Sequence, residues 1–172
     1  VVNYTNNVSE KILVDVKNID FSTNLAFDLT VTTTICSLLL AKTIFIYSGE
    51  LSDTEQYVRH LIKNKIDFIK STPSLLANLQ LSYFDDHKIR QAFVGGEKLD
   101  DFQLAYISKY IDTLIDEYGP TEATVGTSYA QKNIVDNYKG IGKPSFNYKT
   151  YVLDTNGFPV PIGVAGELHI AG

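Results

Sequence analysis

The sequence predicts an α/β fold, in which a parallel sheet flanked by helices is followed by a small, mostly antiparallel β unit. Strand-like and helix-like segments alternate from about residue 18 to 118, and such alternation implies parallel strands joined by right-handed crossovers. After residue 120, short β-rich segments and turn signals replace this alternation. We therefore expect an α/β subdomain over residues 1–125 and a β-rich segment, truncated at its C-terminal end, over residues 126–172.

The strands predicted for the parallel sheet are short and apolar, as expected for strands buried on both faces. They are Lys42–Tyr47, Asp67–Lys70, Arg90–Val94 and Thr113–Tyr118. Residues with helical spacing separate them, and the predicted helices are Leu29–Leu40, Asp53–Lys65, Pro73–Leu81 and Asp100–Tyr110. Ser52 or Asp53 is a favoured residue type at a helix N-cap, and Thr72 with Pro73 is a typical helix start.

The β-rich segment has three predicted strands, Val125–Gln131, Lys149–Leu153 and Gly166–Ile170. The turn signal Asp154-Thr155-Asn156-Gly157 directly follows the second of them. A turn of this type between β-rich runs favours antiparallel pairing.

Composition excludes two classes of partner. The net charge is -5, and without a basic surface nucleic-acid binding is not expected. The longest apolar runs, Ile35–Ala41 and Thr43–Tyr47, are too short to span a membrane. Cys36 is the only cysteine, so no internal disulfide can form, which agrees with a cytoplasmic location.

The segment Asp116–Thr124 carries the densest group of candidate functional residues. A strand end, a Gly-Pro turn, a threonine hydroxyl and carboxylates follow one another within it. The threonine hydroxyl could bind a phosphate. The carboxylate oxygens could bind a hard cation, whose preferred ligands are oxygens. Taken alone, a Gly-Pro-Thr-Glu turn is more often a plain connection between a strand and a loop.

The string Tyr118-Gly119-Pro120-Thr121-Glu122 is identical to a core motif of the adenylate-forming enzymes. Two further motifs occur in the order found in that superfamily. Phe27-Asp28-Leu29-Thr30 resembles its Phe-Asp-x-Ser element, with Thr for Ser, and residues 166–172 resemble its Gly-Glu-Leu-x-Ile-x-Gly element. The chain most resembles the adenylation domains of nonribosomal peptide synthetases.

This resemblance implies a ligase that uses ATP and Mg²⁺ to form an aminoacyl-AMP. In this interpretation Thr121 contacts phosphate, Glu122 binds Mg²⁺ and Tyr118 stacks on adenine. The Gly95-Gly96 backbone lets the base approach closely. Asp116 replaces the Asn that is common in the family, and it can accept a hydrogen bond from the adenine amino group but cannot donate one. The structural alternatives are a buried tyrosine, a surface glutamate and a Gly-Gly turn.

The resemblance also implies an amino acid substrate. In peptide-synthetase adenylation domains the Asp at the position of Asp28 pairs with the substrate's α-ammonium group, whereas the structural alternative is a helix N-cap. The motif register assigns the pocket positions to Asp28, Leu29, Thr32, Lys70, Phe93, Gly95, Glu117, Val125 and Gly126. This set resembles that of asparagine-activating domains, departing mainly at Phe93, where a smaller aliphatic residue is usual.

The chemistry of the pocket agrees with a carboxamide substrate. Lys70 would donate to the carboxamide oxygen, and Glu117 would accept from its nitrogen and repel an aspartate side chain. The alternatives are that Lys70 and Glu117 form an ion pair, or that one of them faces solvent. Aspartate is the second candidate substrate.

Other elements of the family's active site are not in this sequence. By resemblance, the phosphate loop should precede residue 1, the ribose-binding Asp should follow residue 172, and a C-terminal domain should supply a catalytic Lys. We therefore expect an inactive fragment, which in the intact enzyme would pass its adenylate to phosphopantetheine on a peptidyl carrier domain. The alternatives are an acyl- or aryl-CoA ligase fragment and a non-catalytic nucleotide-binding module.

Overall fold

The computed structural model describes residues 1–83, 88–132 and 140–172, and its main feature is a seven-stranded, mostly parallel sheet. The strands of this sheet are β1 Asn18–Phe21, β2 Thr43–Ile46, β3 Phe68–Ser71, β4 Ile89–Gly95, β5 Ile111–Tyr118, β6 Ser128–Lys132 and β7 Lys143–Pro144. Their order is β2-β1-β3-β4-β5-β6-β7. Strands β1 to β5 pair in parallel, whereas β6 and β7 are antiparallel. The predicted fold class is confirmed.

A separate antiparallel pair lies at the C-terminal end of the described chain. It consists of β8 Lys149–Leu153 and β9 Glu167–Ala171. The antiparallel strands expected after residue 120 are thus divided, because β6 and β7 extend the large sheet and only β8 and β9 form a unit of their own.

The helices are α1 Val2–Lys11, α2 Ser37–Leu39, α3 Thr54–Lys63, α4 Pro73–Asn78 and α5 Asp101–Ile107. Side-chain caps explain where several of them begin. Asp53 accepts from the Gln56 backbone N–H at 3.0 Å, and Thr72 accepts from that of Leu75 at 3.4 Å. Asp100 and Gln103 form a reciprocal capping box. The N-caps predicted at residues 53 and 72 are confirmed.

Several predicted bounds change in the structure. The single helix expected at Leu29–Leu40 is a π-helical turn, Thr32–Cys36, that continues into α2. Strand β6 begins at Ser128 rather than Val125, because Thr124 and Val125 have φ values of 66° and 65°. Such left-handed conformations do not continue a strand.

Alternating side chains of the sheet pack into one apolar core on each face. On one face Ile69, Ala92 and Val94 join residues of α3, α4 and α5. On the other face Phe68 and Phe93 join residues of α1 and of the π-helical turn. The second face is the one that carries the predicted pocket.

Candidate functional site

The register of β3, β4 and β5 brings four of the predicted pocket residues together. Lys70 pairs with Phe93, and Gly95 pairs with Glu117. Because alternate residues of a strand point to the same face, all four lie on one face near the carboxyl ends of the strands. This end of a parallel sheet is where ligands bind in open α/β folds.

Lys70 and Glu117 form a buried ion pair, with Lys70 Nζ donating to Glu117 Oε2. Their side chains are 0% and 2% exposed, so neither faces solvent and the ion-pair alternative describes the structure. Lys70 Nζ also lies 3.9 Å from the centroid of the Phe93 ring. The second carboxylate oxygen, Glu117 Oε1, is buried without a hydrogen-bond partner in the described residues. It is therefore an unpaired acceptor inside the fold.

Close backbone packing holds this carboxylate in place. A Cβ on Gly126 would overlap Glu117 Oε1, so the pocket requires glycine at position 126. Gly119 has a similar role, because its Cβ would overlap the Val125 carbonyl oxygen. The buried Val125 side chain joins the core beside the pocket. The glycine of the Gly-Pro turn therefore allows residues 125 and 126 to pack against the end of β5.

The residues from the Phe-Asp motif lie next to the π-helical turn. Thr32 is buried, and its Oγ1 lies 2.6 Å from the hydroxyl of Tyr4 on α1. Asp28 and Leu29 are half-buried. The backbone carbonyl of Asp28 accepts from Val31 N at 3.0 Å, but no helix cap is formed by its side chain among the described hydrogen bonds. The carboxylate of Asp28 thus does not have the capping role.

A groove of about 560 Å³ lies beside the end of β5. It contains Gly96, Asp116 and Tyr118 from the predicted adenine site, and Glu117 also borders it. Gly95 is buried beneath the groove, where its Cβ would lie 3.0 Å from the Glu117 carbonyl oxygen. Other lining residues lie between β4 and α5, in α5, directly after β5, in β6 and before β7: Glu97, Lys98, Leu99, Asp100, Asp101, Leu104, Gly119, Lys132, Gly140 and Ile141.

Lys132 is a residue of this groove that the sequence did not indicate. Its Nζ lies 3.4 Å from Asp116 Oδ2, and the two side chains are 6% and 19% exposed. Lys132 also donates to the Gly140 carbonyl at 2.8 Å. Burial raises the pKa of Asp116 above its ordinary value of 3.8, while the Lys132 charge lowers it. Lys132 therefore balances the charge of a carboxylate that burial disfavours.

Thr121 and Glu122 lie just beyond the groove on a 3₁₀ turn, Thr121–Ala123, and both are exposed. Among the described residues, no group of three or more His, Cys, Asp or Glu side chains is arranged to hold a metal ion. Mg²⁺ in nucleotide sites needs only one or two carboxylates, because substrate phosphates supply other ligands. An exposed Glu122 at the end of β5 fits that requirement.

The comparisons with known proteins agree with these motifs. The family model described as "AMP-binding enzyme" matches residues 5–172. The chain belongs to the AMP-binding enzyme family. Tyrocidine synthase 3 of Brevibacillus parabrevis is 35% identical over 173 residues, which is 95% of this chain. Bacitracin synthase 3 of Bacillus licheniformis is 32% identical over 173 residues, which is again 95% of it.

Solved structures place this AMP-binding chain in the same fold. A holo four-domain nonribosomal peptide synthetase bound to AMP and glycine superimposes with a TM-score of 0.90 at 28% identity, over 99% of this chain. The chain spans 13% of that structure and 3% of each of the two curated relatives. It is similar to the adenylation domains of these synthetases. None of the helices in the described ranges has the length and apolar character needed to cross a membrane.

The glycine at position 126 gives a prediction about stability. Gly126→Ala should lower the free energy of unfolding by roughly 1–3 kcal/mol, because the added methyl group overlaps a carboxylate held in a packed core. Chemical denaturation of wild type and variant measures the change. A difference below about 0.5 kcal/mol, the ordinary range for surface substitutions, would contradict the tight packing inferred at this position.

Lys132 gives a second prediction, on nucleotide affinity. In the intact protein Lys132→Met should weaken AMP binding by about tenfold, because a partly buried carboxylate loses its charge partner. Isothermal titration calorimetry measures the Kd. The double variant D116N/K132M should recover most of the affinity, since a neutral amide does not need a cation, and D116N alone is the control. If AMP binding is weakened equally in K132M and in D116N/K132M, the role assigned to Lys132 is contradicted.

Proposed function

We propose that this chain is part of an amino-acid-activating ligase that forms aminoacyl-AMP from ATP and asparagine. The observation that carries the proposal is the register of β3, β4 and β5, which brings Lys70, Phe93, Gly95 and Glu117 together on one face of an AMP-binding fold. In the intact protein the adenylate would then pass to phosphopantetheine on a peptidyl carrier domain. The proposed substrates, ATP and an amino acid, are small and polar. We expect the enzyme to work in the cytoplasm.

The proposed reaction is displacement at the α-phosphorus of ATP. A carboxylate oxygen of the amino acid forms the new P–O bond while the bond to pyrophosphate breaks, so no protein nucleophile is needed. Catalysis then depends on positioning and charge neutralisation. We assign phosphate contact to Thr121 and Mg²⁺ binding to Glu122, both exposed beside the groove. Mg²⁺, when bound, would neutralise charge that develops on the phosphates.

The groove suits an adenine base. Tyr118, which is 39% exposed, offers an aromatic face, and Gly96, which also lines the groove, has no side chain to keep the base away. Asp116 offers an acceptor to the exocyclic amino group, and Lys132 keeps that carboxylate neutralised. In this proposal these contacts bind and recognise the adenine base, whereas the 3₁₀ turn after Pro120 binds the phosphates.

The amino group and the side chain of the substrate have separate partners in this proposal. Asp28 receives the α-ammonium group, a charge-assisted contact that an acyl or aryl substrate cannot make. Glu117 Oε1 accepts from the carboxamide nitrogen, and Lys70 donates to the carboxamide oxygen. The pair has no net charge, so a neutral carboxamide fits it better than a carboxylate. Phe93 is fully buried beside Lys70, and we expect its ring to favour asparagine over the longer glutamine.

A panel assay tests the substrate. ATP–pyrophosphate exchange by the intact protein should be fastest with asparagine among the amino acids. Glu117→Gln should raise the rate with aspartate relative to asparagine by about tenfold or more, because Lys70 then faces the substrate carboxylate without a competing anion. Faster exchange of wild type with aspartate or a larger residue would contradict the assignment.

Asp112→Asn is the matched control for this substitution. Asp112 lies at the other end of β5, paired with Lys88 at 3.9 Å, and both side chains are 56% exposed. An exposed pair of this kind contributes little, so D112N should leave the substrate profile unchanged. Glu117→His should also weaken the preference for asparagine. An unchanged profile in E117Q and E117H would place Glu117 outside the pocket.

A further prediction concerns residues 1–172 alone. We expect them to give no pyrophosphate exchange, because the family's phosphate loop and catalytic Lys are not present in this sequence. Exchange above the level of a protein-free control would overturn this expectation. The intact protein, assayed under the same conditions, is the positive control.

A further inference from the structure

Tyr4 is a buried tyrosine that contacts two residues of the side-chain pocket. It lies on α1, 3% exposed, and no motif in the sequence indicates it. Its hydroxyl oxygen lies 2.6 Å from Thr32 Oγ1 and accepts from Lys70 Nζ at 3.4 Å. One phenol group thus joins the π-helical turn to the strand that carries Lys70.

The Thr32 hydroxyl is directed by Tyr4 rather than by its own helix. Thr33 Oγ1 donates to the Thr30 carbonyl oxygen at 3.3 Å, and Thr34 Oγ1 donates to the same oxygen at 2.5 Å. Helical threonines commonly make such backbone bonds. In the described hydrogen bonds Thr32 Oγ1 is instead joined to Tyr4. The position of the Thr32 hydroxyl therefore depends on a residue of another helix.

The chemistry of the groups gives the Lys70–Tyr4 hydrogen bond a direction. A lysine ammonium only donates, so the Tyr4 oxygen accepts from Lys70. Burial, and next the Glu117 carboxylate, raise the pKa of Tyr4 well above its ordinary value of 10.0, so the hydroxyl keeps its proton. The contact with Thr32 Oγ1 is 2.6 Å long, and either hydroxyl can be its donor.

We infer that Tyr4 is a specificity-determining positioning residue, whose hydroxyl holds the Lys70 ammonium and the Thr32 hydroxyl in place around the side chain of the substrate. The inference rests on the proposed function, because it assigns Tyr4 to a pocket for a carboxamide side chain. It adds a residue of α1 to a pocket otherwise built from the sheet, the π-helical turn and the turn after β5. Lys70 and Thr32 then contact the substrate side chain together.

Tyr4→Phe in the intact protein tests this inference. It should raise KM for asparagine by about tenfold, the effect of one hydrogen bond to a charged or polar partner. The preference for asparagine over leucine, which has a similar shape without the carboxamide, should fall by the same factor. KM for ATP should stay within about twofold of wild type, because the described hydrogen bonds of Tyr4 go to Thr32 and Lys70, neither of which lines the nucleotide groove.

Two further variants separate positioning from simple packing. Tyr106→Phe is the matched control, since it removes a tyrosine hydroxyl that donates to the Leu79 carbonyl at 2.6 Å outside the pocket. Y106F should leave KM for asparagine and the asparagine-to-leucine ratio unchanged. Thr32→Val removes the next hydroxyl of the chain, so Y4F and T32V should each cause a similar loss, and the double variant should lose little more than either single variant.

The results distinguish this inference from the proposed function. If wild type activates asparagine but Y4F retains the wild-type KM and selectivity, the role of Tyr4 is wrong and the substrate assignment stands. Additive losses in Y4F and T32V would also overturn it. If wild type prefers another amino acid, the asparagine proposal fails, and the same variants are then measured with the preferred substrate. Unchanged selectivity for that substrate would overturn the inference as well.

Discussion

The buried ion pair between Lys70 and Glu117 is the interaction on which the pocket depends. Removing two charges from water costs several kcal/mol per ion, and their attraction offsets this cost only when the geometry is right. That geometry comes from strand pairing, because β3, β4 and β5 align Lys70 with Phe93 and Gly95 with Glu117. A slip of one residue in any of these pairings would turn a charged side chain toward the opposite apolar core. The ion pair and the sheet register therefore require each other.

The turn after β5 stores backbone strain to complete this arrangement. Thr124 and Val125 both have positive φ, a conformation that costs roughly 1–3 kcal/mol per residue and that is unusual for a β-branched side chain. The strain lets the chain reverse so tightly that Gly126 contacts the Glu117 carboxylate and Gly119 contacts the Val125 carbonyl. A relaxed turn would move residue 126 away from the acceptor. The strained turn thus packs against Glu117 Oε1, a buried oxygen that has no hydrogen-bond partner among the described residues.

Short sequence patterns predicted those features of the fold that depend on residues close together in the chain. Helix caps such as Asp53, the alternation of strands and helices, and the residues of the buried pair all follow from short patterns or from the motif register. Helix α1 gave no such signal because its sequence is rich in asparagine, and its place depends on distant contacts. Asn7 accepts from the backbone N–H of Phe146, 139 residues away. Tyr4 and Lys132 were missed for the same reason, since their partners lie far along the chain or across the sheet.

Strand β5 separates the two halves of the site with two consecutive residues. Asp116 and Glu117 point to opposite faces of the sheet, because side chains alternate along a strand. Each carboxylate has its own lysine: Lys132 on the groove side, partly open to solvent, and Lys70 in the core. The surroundings of the two carboxylates therefore stabilise a charge in different ways. The groove tolerates a charge that water helps to stabilise, whereas the core holds a carboxylate only as part of a neutral pair. A neutral polar side chain is therefore the ligand that the face with Glu117 accepts at the lowest electrostatic cost, whereas a charged group is accommodated more readily on the face with Asp116.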